Sequence, residues 1–339
     1  MKISRENINQ AFASFKGKRV LILGDVMIDA YLRGKVDRIS PEAPVPVVSL
    51  FKRENMLGGA ANVALNVKAL GGEPVLCSVI GNDLRGDEFL KLLEQDDISA
   101  QGILLSNDRI TTTKFRIIGN NFQMLRVDEE VDHDLSANDA AELLKAVTHL
   151  LKNTQIDVVV FQDYNKGVLT SEIISEVIEI AGHGNVPVVV DPKKKNFDAY
   201  KKVELFKPNL KELREGLKTE IDPSDVNSLR NGCNMFRRQS GVSSIMVTLS
   251  ERGVYLNREV MGELQEVLIP AHVRHISDVS GAGDTVISVA SLCVASKLGD
   301  FLMVSLANLA GGLVCEKVGV VPVDREKFYK EAMLLLVNE

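Results

Sequence analysis

The chain has 339 residues, of which 45% are hydrophobic and 25% are charged, a composition typical of a globular protein with a full core. The formal net charge of −6 and the absence of tryptophan argue against a nucleic-acid surface. No apolar run approaches the ~18 residues of a membrane span, and the N-terminus lacks the apolar segment of a signal peptide. Together with four widely spaced cysteines, these features predict a reduced, cytoplasmic protein without a membrane partner.

Strands and helices alternate along most of the chain. The apolar run Val20–Leu23 predicts a buried strand, and residues 58–62 open a helix that two glycines close at 71 and 72. Further strands are expected at 75–80, 157–161, 186–190, near 205 and at 245–248, with a hairpin of 254–256 and 267–269. Further helices are expected at 87–95, 138–151, 171–181, from 211, within 224–239, at 284–297, at 300–317 and near the C-terminus. The alternation predicts an α/β fold with a mostly parallel central sheet and helices on both faces.

Two insertions interrupt this alternation. Prolines punctuate residues 31–56, which confines that segment to edge strands or extended loops, and Gly119-Asn-Asn121 indicates a hairpin turn within 110–128. We predict that both insertions form one small β lid rather than a second domain, so that residues 1–339 make a single domain. A partly apolar lid hairpin also predicts a homodimer formed through the lid.

The segment Asp278–Val286 predicts an anion-binding site. Gly281, Ala282 and Gly283 leave the backbone N–H groups unobstructed, and the apolar run after them predicts a helix whose positive end faces the anion. Asp284 falls in the first turn of that helix, where it is a candidate catalytic base, although a carboxylate at a helix N-terminus is expected to be a weak base. Taken alone, such a motif is more often only a glycine turn and a helix cap.

Two other phosphate-binding motifs fit poorly. A dinucleotide-binding turn would need a third glycine where Val286 stands, and too little chain follows for a second nucleotide-binding half. The Walker loop GxxxxGK[ST] is absent.

Four motifs together resemble those of the PfkB/ribokinase carbohydrate kinases. They are Gly58-Gly-Ala-Ala-Asn62 with Gly81 downstream, Lys207-Pro-Asn-Leu-Lys-Glu212, Thr248–Gly253 and Asp278–Asp284. They stand in the order found in that family and extend over nearly the whole chain. The resemblance implies a ribokinase-like fold, ATP and Mg²⁺ as cofactors, and Asp284 as the catalytic base beside Gly281, Ala282 and Gly283.

A finer resemblance, to the kinase domain of the bacterial heptose-7-phosphate kinases, is carried by Gly24–Asp29, Arg38–Pro46, Asp191–Lys193 and Asp278–Ile287. In bifunctional members a nucleotidyltransferase domain follows, whereas this chain stops shortly after the kinase motifs and resembles a stand-alone form. The resemblance implies phosphorylation of the 1-hydroxyl of D-glycero-D-manno-heptose 7-phosphate, on the way to ADP-heptose and lipopolysaccharide. A kinase of ribose or a fructose phosphate, and a non-catalytic sugar- or nucleotide-binding protein, remain as alternatives.

The candidate sugar-binding residues lie in the first strand-end loop and the first glycine motif. Ligands bind beyond the carboxyl ends of strands in open α/β sheets, and glycines let a ring approach the backbone. We therefore predict sugar contacts from Asp25, Asp29, Gly58, Gly59 and Asn62.

A phosphorylated sugar also requires cations for its existing phosphate, preferably arginines. Arg38 and Arg116 lie on the predicted lid, and Lys166 follows a strand end. Any one of them alone would be read as a solvated charge. Their position on elements that would cover the sugar predicts that they bind its phosphate.

The nucleotide side begins at Asn209 and Glu212, three residues apart at a helix start, where both can face phosphates and a hydrated Mg²⁺. The alternative is a capping box. The resemblance further implies nucleotide contacts from Thr248, Ser250, Gly253 and Asn308. The sequence does not determine whether a monovalent cation is needed.

Overall fold

The computed structural model describes residues 2–337 and contains two β-sheets with helices packed around the larger one. The strands are β1 Arg19–Gly24, β2 Val26–Ile39, β3 Pro46–Gly59, β4 Glu73–Gly81, β5 Gly102–Ser106, β6 Thr113–Gly119, β7 Phe122–Glu129, β8 Val158–Gln162, β9 Val188–Asp191, β10 Leu205–Phe206, β11 Ser244–Thr248, β12 Val254–Val260 and β13 Glu263–Ile269. The helices are α1 Arg5–Ser14, α2 Ala60–Ala69, α3 Leu84–Gln95, α4 Ala137–Asn153, α5 Ser171–His183, α6 Leu210–Leu217, α7 Val226–Ser240, α8 Ala282–Ala295, α9 Asp300–Val314 and α10 Arg325–Leu335. Two short 3₁₀ turns lie at Lys194–Asn196 and Ser250–Arg252.

The large sheet has nine strands in the order β13-β12-β11-β10-β9-β8-β1-β4-β5. Strands β11 to β5 in this order are parallel, and β12 and β13 add an antiparallel edge. The predicted α/β fold with a mostly parallel sheet is confirmed. The edge strand β5 was not predicted, because residues 102–106 are short and flanked by polar sequence.

Both faces of this sheet are buried, which explains the continuous apolar runs in its central strands. Alternate residues of β1 point to opposite faces. Val20 and Ile22 pack in one core with residues of α2, α8 and α9, whereas Leu21 and Leu23 pack in the other with residues of α4 and α5. Helix α8 packs on the sheet face formed by Val20 and Ile22, and the site forms on that face. Among residues 2–337, no helix is both long enough and apolar enough to cross a membrane.

The second sheet has four strands in the order β3-β2-β6-β7 and corresponds to the predicted lid. The strands of the first insertion begin earlier and end later than predicted, because a single residue separates β2 from β1 and β3 runs directly into α2. One end of the lid is therefore continuous with the large sheet. The rest of it exposes large apolar side chains, including Phe51, Phe122 and Leu125, which are 68%, 75% and 55% exposed.

Candidate active site

Asp284 lies in the first turn of α8 and is only 3% exposed. Its Oδ2 atom accepts a hydrogen bond of 2.7 Å from Nδ2 of Asn62, which lies on α2. Its Oδ1 atom accepts one of 3.0 Å from Nε2 of Gln162, the last residue of β8, and one of 2.6 Å from the hydroxyl of Tyr164. Three separate elements thus hold one buried carboxylate in a fixed orientation.

The expected weak basicity of Asp284 is wrong for this environment. Burial raises the pKa of its carboxyl to about 7, because desolvation disfavours the charged form. The hydrogen bonds from Tyr164 and Asn62 lower the pKa and only partly offset this effect. A group with a pKa near neutrality is well matched to accepting a proton at physiological pH.

The glycine segment forms the predicted turn at the start of α8. Gly281 is the N-cap residue and has a φ of 77°, a left-handed conformation in which a side chain would be strained. A methyl group there would also lie 2.9 Å from Nδ2 of Asn62. Ala282 and Gly283 begin the helix, two residues earlier than predicted, so their N–H groups lie at its positive end.

Asp191 and Lys207, which were quoted only as parts of motifs, lie beside this turn. Nζ of Lys207 is 3.0 Å from Oδ2 of Asp191, and both side chains are almost fully buried. Nε2 of Gln162 approaches the same Asp191 oxygen at 3.3 Å. A methyl group on Gly283 would be 3.7 Å from that oxygen and 3.9 Å from the ammonium, so the pair faces the first turn of α8.

Asp29 lies at the base of the lid and pairs with Arg116 across the neighbouring strands β2 and β6. Burial raises the pKa of Asp29, whereas the charge of Arg116 lowers it. Gly58 faces this carboxylate, since a methyl group there would clash with Oδ2 of Asp29. Gly59, the next residue, is the N-cap of α2. The structure therefore brings four of the predicted substrate-binding residues together at the base of the lid, namely Asp29, Gly58, Gly59 and Arg116.

The carboxylate of Asp25 has three backbone partners in the structure. Its two carboxylate oxygens accept backbone hydrogen bonds of 2.8, 3.1 and 3.1 Å from Tyr164, Lys166 and Val168. Burial, and then the charge of Asp163, raise its pKa to about 6. In this structure Asp25 holds the 164–168 loop against the sheet, and a sugar contact from its side chain stays a prediction.

The other predicted sugar-site residues divide into two groups. Asn62 is fully buried and contacts Asp284 and Asn66. Nζ of Lys166 pairs with Glu130 at 2.6 Å, and the same glutamate pairs with Lys114. Lys166 and Arg116, two of the cations predicted to bind the sugar phosphate, are therefore already paired with carboxylates.

Arg38 does not join these residues. It is exposed, and it lies on the same strand as Asp29 but nine positions further along, up to about 30 Å away at the rise of a β-strand. Its role in binding the phosphate stays a prediction.

Asn209 and Glu212 form the capping box that the sequence offered as the alternative. Oδ1 of Asn209 accepts from N of Glu212, and Oε2 of Glu212 accepts from N of Asn209, both at 2.8 Å. The other Glu212 oxygen pairs with Lys193, whose ammonium lies over the ring of Tyr164. Within residues 2–337 no group of three or more His, Cys, Asp or Glu side chains could hold a metal ion.

The remaining nucleotide-site candidates lie on neighbouring elements. Thr248 ends β11 and forms an isolated bridge with Asn209. Ser250 and Gly253 belong to the tight turn that follows, before β12. Asn308, on α9, donates a hydrogen bond of 2.9 Å to the carbonyl of Pro270 and so ties down the loop before α8.

Four residues that contact the site were not predicted as functional, namely Gln162, Tyr164, Asp191 and Lys207. Gln162 and Asp191 end buried strands, and Lys207 follows one directly, so polar residues at strand ends were an available signal. Tyr164 lies in a loop two residues beyond its strand, and only the tertiary structure turns its hydroxyl toward Asp284.

The model of the pfkB family carbohydrate kinases matches residues 18–326. The bifunctional protein HldE of Caulobacter vibrioides is 41% identical over 90% of this chain and 62% of its own length. The proteins of that name from Aliarcobacter butzleri and Helicobacter pylori strain 26695 are each 38% identical, over 93% and 89% of this chain and 64% of their own length. The chain thus spans a little under two thirds of these curated relatives.

Solved structures share the fold at lower identity. Phosphofructokinase-2 from Escherichia coli in complex with potassium has a TM-score of 0.75 and 17% identity, covering 93% of this chain and 99% of that one. Arabidopsis thaliana ribokinase complexed with ribose and ATP has a TM-score of 0.69 and 16% identity over the same shares. The ribokinase-like fold expected from the motifs is confirmed.

Proposed function

The chain belongs to the pfkB family of carbohydrate kinases, and from that premise we propose that it transfers the γ-phosphate of ATP to the 1-hydroxyl of D-glycero-D-manno-heptose 7-phosphate. The product would be the 1,7-bisphosphate, a precursor of ADP-heptose and lipopolysaccharide. The kinase chemistry rests on one observation above all, the buried Asp284 beside the glycine turn of α8. The choice of sugar is supported by the motif resemblance to the heptose-7-phosphate kinases.

Asp284 would act as the base in this reaction. Its Oδ2 atom has a single hydrogen bond, from Asn62, which leaves a lone pair for the proton of the sugar hydroxyl. As the oxygen of the sugar hydroxyl forms a bond to the γ-phosphorus, the bond from phosphorus to ADP breaks and the hydroxyl proton passes to Asp284. The N–H groups of Gly281, Ala282 and Gly283 would stabilise the charge on the transferred group.

Mg²⁺ would be held mainly by the phosphate oxygens of ATP and by water. Both side-chain oxygens of Glu212 already have partners, and its capping partner Asn209 is fixed by the same box. Oxygen donors suit Mg²⁺, which keeps several waters in such sites, so contact through water fits these two residues. Thr248, Ser250, Gly253 and Asn308 would border the nucleotide.

The base of the lid would bind the sugar phosphate. Asp29, with Gly58 and Gly59, would contact the sugar, and Arg116 and Lys166 would bind its phosphate after exchanging a carboxylate partner for it. Because ATP is the donor, we expect the reaction to occur in the cytoplasm.

A homodimer formed through the lid is a further part of the proposal. Phe51, Phe122 and Leu125 expose large apolar surfaces on the four-stranded sheet, which a second copy would cover. Analytical ultracentrifugation of wild-type protein and Phe122→Ser tests this, since loss of the apolar ring should shift the equilibrium toward monomer. A wild-type monomer at micromolar concentration would contradict it.

The substrate is tested by incubating the protein with ATP, Mg²⁺ and separate sugars, with ADP release as the readout. The panel contains heptose 7-phosphate, fructose 1-phosphate, fructose 6-phosphate and ribose, and ³¹P NMR identifies the phosphorylated position. We expect the highest kcat/KM for the heptose phosphate. Preference for ribose would contradict the heptose assignment, and the absence of turnover on every sugar would favour a non-catalytic binding protein.

A further inference from the structure

A row of polar residues crosses the carboxyl edge of the large sheet next to Asp284. Gln162 of β8 is in register with Asp191 of β9, and Lys207 follows Phe206, which is in register with Val190. Side chains at equivalent positions of neighbouring parallel strands point to the same face. Gln162, Asp191 and Lys207 therefore all point to the face that α8 covers.

Within this row, the ammonium of Lys207 lies close to the start of α8. It would lie 3.9 Å from a methyl group on Gly283, and Lys207 is only 2% exposed. Its charge is also felt at Asp284, since it is among the factors that lower the pKa of that carboxyl against the larger effect of burial. Lys207 thus lies beside the glycine turn, and its charge acts on the base, the two groups that the reaction needs.

The ion pair with Asp191 does not use all the hydrogen-bond donors of Lys207. An ammonium has three N–H donors, and the ion pair with Oδ2 of Asp191, 3.0 Å away, occupies one direction. Gln162 donates to the same Asp191 oxygen and to Asp284, so Asp191 has a second stabilising partner besides Lys207. A buried lysine that serves only as a counterion need not face the glycine turn at all.

We propose that Lys207 is a catalytic residue whose ammonium donates a hydrogen bond to the phosphoryl group while it is transferred. Asp191 then acts as a positioning residue that aims the ammonium at the first turn of α8. The proposal rests on the proposed function, because it places the transferred phosphoryl group beside Gly283 and Asp284. A point charge fixed in a buried site stabilises developing charge without reorganisation during the reaction.

The test compares Lys207→Met with wild type on whichever panel sugar the wild type phosphorylates, so that a wrong sugar assignment does not affect it. We expect kcat to fall about 10²–10³-fold, with KM for the sugar and Kd for ATP changed less than about fivefold. The matched control is Lys211→Met on α6, whose exposed side chain lies near Glu215, and it should retain wild-type kcat. A Lys207→Met enzyme that keeps more than a fifth of the wild-type kcat would overturn the proposal.

A double variant separates catalysis from charge balance. Lys207→Met alone leaves Asp191 buried without its cation, which can unfold the protein, whereas Asp191→Asn with Lys207→Met removes both charges. We expect the double variant to melt as cooperatively as wild type and to remain as inactive as Lys207→Met. Recovery of activity in the double variant would show that Lys207 only neutralises Asp191 and would overturn the proposal.

Discussion

The two ends of the site are built differently. At the end of phosphoryl transfer, Asp284, Asp191 and Lys207 are each at most 5% exposed, and they lie on strand ends or on the first turn of a helix. At the lid end, Lys166 and Glu130 are partly exposed and are held by ion pairs between side chains. Charge stabilisation needs dry, fixed groups, whereas binding a charged substrate requires groups that can exchange partners.

This difference predicts that mutations at the two ends will affect different kinetic constants. Groups that act on the transition state lower kcat, and groups that bind the ground state raise KM. The following experiments test that distinction.

The largest effect is expected for Asp284→Asn. The amide cannot accept the proton of the sugar hydroxyl, so kcat should fall about 10²–10⁴-fold, the range of general base catalysis. Binding of ATP, measured by titration calorimetry, should change little. A variant that keeps most of its kcat would show that Asp284 is not the base.

The next effect concerns Arg116→Gln at the lid end. Loss of the guanidinium leaves Asp29 buried without its cation and removes a donor for the sugar phosphate. We expect KM for the phosphorylated sugar to rise about 10–100-fold with kcat changed much less, since charged hydrogen bonds contribute about 1.5–3 kcal/mol.

The control for Arg116 is Arg53→Gln, an exposed arginine on the lid strand β3, which should leave both constants unchanged. Steady-state kinetics over a range of sugar concentrations checks both variants. If Arg116→Gln lowers kcat rather than raising KM, the functional separation of the two ends is wrong.

A smaller effect is expected from Tyr164→Phe, and it is measured as a change in the pH dependence of kcat/KM. The Tyr164 hydroxyl lowers the pKa of Asp284, so its removal should raise that pKa. In wild type, kcat/KM should increase with pH through about 7 as Asp284 ionises. In the variant, the pKa that governs this rise in kcat/KM should be higher by about one pH unit or less.

The matched control is Tyr329→Phe, whose hydroxyl bonds to Asn9 in an exposed position away from the site. Its pH profile should coincide with that of wild type. A downward shift for Tyr164→Phe would be incompatible with a hydrogen bond to the ionised carboxylate.

The smallest effect is on stability. Asp284 has its pKa raised from 3.8 to about 7 on folding, so the folded state binds a proton more tightly than the unfolded state. The associated stability is present below pH 4 and is lost as pH rises through 7. Asp284→Asn removes this loss and should therefore be more stable than wild type at pH 8, by about 1–3 kcal/mol, with a smaller difference at pH 5. Urea unfolding at both pH values measures it.

The alternation of strands and helices and the glycine turn before α8 could be predicted from the amino-acid sequence. These features are local, since apolar periodicity and glycine placement act within a few residues. The same local character let the sequence locate both lid insertions, although the strands of the first insertion proved longer than predicted. Family membership was also recoverable, because four motifs stand in order along the chain, and it is confirmed.

The tertiary structure alone decided which side chains meet. Asn62, Gln162 and Tyr164 converge on Asp284 from positions 120 to 222 residues away in the chain, a contact that no local pattern encodes. The same convergence removes water from Asp284 and raises its pKa, so its strength as a base is a property of the fold. Likewise, only the path of the 164–168 loop brings three backbone N–H groups to the carboxylate of Asp25.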